Sequence, residues 1–155
     1  MAIEGDNTAQ LSTFSMIKEV LKLNSTLNTK FTDAKYYEFE PNMKSLSFGS
    51  LPFIVINVPS TETDLLVVTN STTIKDYTIV LELLISFDAR SKFTEYSNAI
   101  IKQLEDLTST TTFEASGFYN TEIDLVDTNV NEIIQEKPVI RGTFELKFDV
   151  NINRD

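Results

Sequence analysis

The closing stretch of the chain leaves little freedom in what it can form. Ile140, Gly142, Phe144, Leu146, Phe148, Val150 and Ile152 share one parity, while Arg141, Thr143, Glu145, Lys147, Asp149 and Asn151 take the other. Successive side chains of a strand point to opposite faces, so this pattern predicts a long strand with one face buried and one wet. A slip of one residue would turn the polar set inward, which fixes the register strongly. Such a strand needs partners beside it and a layer over its apolar face, and the rest of the chain supplies candidates for both.

Residues 51–58, Leu51-Pro52-Phe53-Ile54-Val55-Ile56-Asn57-Val58, form a nearly continuous apolar run closed by Pro59, which suits a strand covered on both faces. In 74–87, Tyr77, Ile79, Leu81, Leu83, Ile85 and Phe87 alternate on one face while Val80 and Leu84 make the other partly apolar, as in a central strand. Residues 36–40 read as a short strand before Pro41, and 119–125 as another, with Tyr119, Thr121, Ile123 and Leu125 on one parity. The period changes in two places. Leu11, Phe14, Ile17, Val20, Leu21 and Leu23 predict a helix over 10–23, stopped by the Asn-, Ser- and Thr-rich residues 24–29. Phe93, Tyr96, Ile100, Ile101, Leu104 and Leu107 predict a second helix over 91–106, with Ser91 as its N-cap and the threonine-rich 108–112 as a connection after it. The order helix-strands-helix-strands argues against repeated βαβ units. It predicts a single α+β domain over 1–155, an antiparallel or mixed β-sheet with two main helices packed on one face, and a flexible N-terminal arm at 1–10.

At 155 residues the chain has the size of one domain, and 41% apolar residues are enough to build a core. It contains no cysteine and no histidine. That removes disulfides, thiol nucleophiles, imidazole bases and the usual zinc ligands, leaving carboxylates, lysine, hydroxyls and tyrosine for any chemistry. The 13 basic and 23 acidic residues give a formal net charge of −10, which repels phosphate backbones and anionic lipid but suits a surface past which DNA slides without sticking. Residues 1–10 have neither a basic nor an apolar signal-like region, no apolar run reaches the length of a membrane span, and the expectation is a cytosolic product.

Several constellations bear on possible chemistry. Asp127-Thr128-Asn129-Val130-Asn131 copies the opening of a calcium loop, but Glu132 stands where the turn needs glycine and Pro138 where a bidentate glutamate is required. A polar loop between strands is the reading. Glu38 with Glu40, Asp124 with Asp127, and Glu132 with Glu136 are expected to be solvated carboxylates. Arg141 beside Gly142 is too little for an anion site, and Ser15-x-x-Lys18 falls on the first helix with no companion motif. No catalytic residue, metal ligand or cofactor site is expected. The stretch Leu65, Leu66, Val67 and Val68 lies between two polar runs and is the candidate for contact between subunits; the alternative is that it pairs within the same sheet.

Taken together, the helix at 10–23, the strands at 51–58 and 74–87, the second helix and the closing Gly142-Thr143-Phe144-Glu145-Leu146-Lys147-Phe148 resemble the tail terminators, the tail-completion or tail-to-head joining proteins of long-tailed bacteriophages. The resemblance covers about residues 10–152 in element order and size, and it rests on no short motif, so no functional residue carries over. It implies a virion protein, made in the host cytoplasm, that forms a hexameric ring on the tail tube protein, stops tube growth and offers a docking face to the head-connector protein. DNA would pass through the lumen without specific binding, and no membrane is involved. Other tail-tube or neck components, and a monomeric protein-binding module, share the same sequence features. Since no metal is expected, a chelator should leave the melting temperature unchanged; a large drop would reveal an oxygen-ligated site.

Overall fold

The computed structural model describes residues 7–41, 51–58 and 72–152. At the centre of the sheet, β3 (Thr72–Ser86) and β5 (Lys137–Ile152) run antiparallel. Their register places Ile79 opposite Leu146, Leu81 opposite Phe144 and Ile85 opposite Ile140, and all six side chains are buried. The alternation in both sequences thus meets on one face. β2 (Phe53–Asn57) adds antiparallel to the other side of β3, and β1 (Tyr36–Tyr37) pairs parallel to β2. On the far side, β4 (Phe118–Ile134) pairs antiparallel with β5, giving the order β1-β2-β3-β5-β4. The protein is therefore α+β with a mixed sheet.

Helices cover one face of that sheet. α1 (Asn7–Lys22) packs on β2 and seats Ile17 and Leu21 in the core. It begins at Asn7, inside the stretch expected to be a flexible arm, and residues 1–6 lie outside the described residues. Asn24 both ends α1 and begins α2 (Ser25–Lys30), because its Oδ1 accepts the Thr26 and Leu27 N–H groups at 3.0 and 3.2 Å. The polar run expected only to stop a helix thus starts another. After β3 the chain winds into a 3-10 segment at Phe87–Lys92, capped by the Ser86 hydroxyl, which accepts from Asp88 N–H. Hence α3 (Phe93–Glu105) begins without a break: Lys92 holds its N-cap position with no side-chain hydrogen bond, and Ser91 is not the cap.

The threonine-rich connection is also a helix. α4 (Leu107–Ala115) starts on Asp106, whose carboxylate accepts Thr108 N–H at 3.0 Å. The hydroxyls of Thr110, Thr111 and Thr112 donate to carbonyls one turn back, so these side chains satisfy themselves on the helix instead of breaking it. Phe113 anchors α4 in the core, and Gly117, at φ 91°, turns the chain into β4.

β4 is much longer than the expected 119–125. It runs through Asp127-Thr128-Asn129-Val130-Asn131, where a loop was expected, and ends only at a two-residue turn, Gln135-Glu136, with φ of 51° and 66°. Three irregularities interrupt its pairing with β5, between Tyr119 and Glu122, Leu125 and Asp127, and Asn129 and Glu132. Each inserts one extra residue and shifts the parity of the strand beyond it, which erases the alternation a sequence reading depends on. Asn120 supplies the positive φ of the first, at 55°, and donates to the Asp149 carboxylate at 2.8 Å.

The main core lies between the helices and this face of the sheet, with a chain of rings at one end: Phe148 is 4.8 Å from Phe118 and 5.2 Å from Phe113, centroid to centroid. Gly142 interrupts the large side chains of β5 because the Phe93 ring sits on it; a Cβ there would lie 2.7 Å from Phe93 Cζ. A smaller cluster of Phe53, Val55, Leu84, Ile134 and Val139 closes part of the opposite face. Phe148→Ala, measured by urea denaturation, should cost about 3–5 kcal/mol, the loss of burial plus the cavity left among the rings. A neutral result would place the ring outside the core.

Candidate functional site

Two features stand out against this frame. The first is a set of charges on the face of the sheet opposite the described helices. Arg141 of β5 sits there with its side chain 15% exposed. Its Nε and Nη2 donate to the two Glu132 oxygens of β4 at 2.7 and 2.8 Å. Nη1 donates to Glu82 of β3 at 3.0 Å and pairs with Glu40, just past β1, at 2.5 Å. One guanidinium thus ties three strands and the segment after β1 together, using the planar fork that makes arginine, and not lysine, suited to paired carboxylates.

The charges shift one another. The hydrogen bond from Arg141 holds the Glu132 carboxyl below the usual carboxylate range, opposed by burial and reinforced by the positive charge. Arg141 is pushed further above its ordinary value, chiefly by the Glu132 hydrogen bond. Three carboxylates converge, but the place a cation would take is filled by the guanidinium, and among the described residues no group of three or more acids is arranged to hold a metal ion. With three carboxylates against one guanidinium the cluster is net negative, which repels an anion. The cluster is a strut.

Glu132, expected to be solvated, is half-buried in this network; Glu40 joins the network while remaining exposed, and Asp124, Asp127 and Glu136 are exposed as expected. Ser15 is exposed on α1, and the Lys18 ammonium lies 5.5 Å from the centre of the Phe14 ring, so the pair serves the outer side of the helix. Tyr36 is buried; burial raises its phenol, with the charges of Asp33 and Glu19 adding, so it stays protonated and cannot act as a base. Its hydroxyl and that of Ser97 are buried with no hydrogen-bond partner. A surface recess of about 260 Å³ is lined by Ser25, Thr26, Thr29, Lys30 and Glu95, with no nucleophile and base brought together. Among the described residues no helix is long and apolar enough to cross a membrane.

The second feature is the β4 edge. It exposes Leu125, Val126, Val130 and Ile133, the last at 67%, together with Tyr119 at the other end of the strand. Bulges re-aim side chains, and Val126 and Val130 fall in two of them, on a strand that has no neighbour on that side among the described residues. The sequence signal was present in Val126, Val130 and Ile133, apolar residues scattered through a polar stretch, but without the bulges they read as loop. Leu65, Leu66, Val67 and Val68, the candidates for subunit contact, lie outside the described residues. Compared with known proteins, the chain matches no family model and no curated protein.

Arg141→Met would leave Glu40, Glu82 and Glu132 facing one another without their cation, at an expected cost of about 3 kcal/mol at pH 7. A carboxyl lowered in the folded state stabilises above its ordinary pKa, and that contribution disappears as pH falls through the folded value. The gap between wild type and variant in urea denaturation should therefore hold from pH 7 to about pH 5 and narrow as the pH falls below the ordinary carboxyl value of 4.5. A gap independent of pH would mean that the arginine contributes packing and not charge.

Proposed function

We propose that the protein is a structural subunit of a tailed-virus particle, a tail terminator that assembles as a ring, caps the tail tube and joins it to the head connector. The observation that carries this reading is the β4 edge, where four large apolar side chains from 125 to 133 face solvent on a single subunit. Exposed apolar groups concentrated in this way mark contact with another chain. The polar cluster around Arg141 favours the same class, since its groups are consumed in holding strands together and none is poised for a reaction. The net charge of −10 suits a passage for DNA, and the resemblance in element order supplies the particular place in the particle.

Purified protein imaged by negative stain, with its mass measured by light scattering, should give rings with an open centre, six-fold by the resemblance. Added to growing tail tubes, it should stop them at fixed length. A strict monomer with no effect on tubes would replace this reading by that of a small binding module.

A further inference from the structure

The charges of the chain are segregated, and the segregation matches the apolar surface. β4 carries Glu122, Asp124 and Asp127 at exposed positions and no basic residue, its fourth acid, Glu132, being taken up by Arg141. Residues 7–35, covering α1, α2 and the turn at Asp33–Lys35, carry Lys18, Lys22, Lys30 and Lys35 against Glu19 and Asp33; Lys22 pairs with both of those acids, and a basic excess remains in a chain of net charge −10. That region has its own exposed apolar group, Leu23 at 64%. The two lie apart in the fold: α1 packs on β2, near one edge of the sheet, and β4 forms the other edge.

From this we infer that β4 is the docking surface for a second copy of the chain, which meets it with the lysine-bearing α1–α2 surface. An acidic rim around Leu125, Val126 and Val130 then faces a basic rim around Leu23, and complementary potentials set orientation and register. Two alternatives are disfavoured by the same residues. A two-fold contact of β4 with β4 would bring acid against acid. Addition of a strand to the β4 edge is obstructed by its three bulges, which leave no regular run longer than 122–125, so the contact is made by side chains and not by a continued ladder. Two different surfaces on separate sides of one subunit make a head-to-tail contact, which closes into a ring or runs on as a filament.

The inference rests on the ring reading, and a charge swap separates the two. Asp124→Lys with Asp127→Lys reverses the β4 surface; Lys18→Glu with Lys30→Glu reverses the other. Each pair alone should raise the concentration needed for assembly by about 100-fold or more, leaving a folded monomer by circular dichroism and light scattering. Mixing the two variants, or combining all four changes in one chain, should restore the wild-type size, because each altered surface then meets a complement. If wild type assembles and the separate swaps leave its size unchanged, the ring reading stands and this surface assignment is wrong. Loss of assembly without recovery in the mixture also overturns the pairing of these two surfaces, and a monomeric wild type overturns both readings.

Discussion

Between β3 and β5 the buried residues of two amphipathic strands fall on the same face, Ile79 against Leu146 and Leu81 against Phe144. Every other element takes its position from that ladder. β2 continues it on one side and β4 on the other, and the helices rest on the single apolar surface it creates. Because the side-chain period is two, a slip of one residue would turn the polar set onto that surface, so the ladder resists it strongly. The opposite face is closed locally, by a small apolar cluster around Leu84 and Val139 and by the guanidinium of Arg141 between Glu82 and Glu132. Arg141 pairs with Leu84 across the ladder, so the charged strut and the apolar cluster adjoin one another.

Those parts of the fold were legible where one period persists. β5 alternates from Ile140 onward and β3 nearly throughout, and the apolar stripes of α1 and α3 hold for several turns, which is why the α+β class and the sheet could be read from residues alone. Legibility failed where local geometry breaks the period. The bulges of β4 shift its parity three times, and a strand of 17 residues looks like a short strand and a loop. α4 was hidden because threonine is a poor helix former in general, while here its hydroxyls bond to the helix's own carbonyls and Asp106 supplies the start.

The site features were less legible for a different reason. Glu82 and Arg141 are 59 residues apart in sequence, and Glu40 is more distant still, so nothing local distinguishes them from other charges on a wet face. What brings them together is the sheet order, which is itself a product of long-range pairing. Likewise Val126 and Val130 mean little until the strand is known to lie at an edge. Both features depend on neighbours that the linear pattern does not encode.

The Gln135-Glu136 turn determines how the sheet can be assembled in time. β4 and β5 are joined by two residues, so their ladder can zip from the turn outward with almost no loop to close. By contrast, bringing Ser86 opposite Val139 closes a loop of about fifty residues containing two helices. Contacts of low sequence separation form earlier at lower entropic cost, which makes the hairpin the first long pair and the docking of β3 the later, slower event. Until β3 arrives, the Phe144 and Phe148 face of β5 stays uncovered on that side. A chain folding in this order keeps the β3-facing edge of β5 open until β3 docks, and the speed of that closure sets how long the edge is exposed to aggregation.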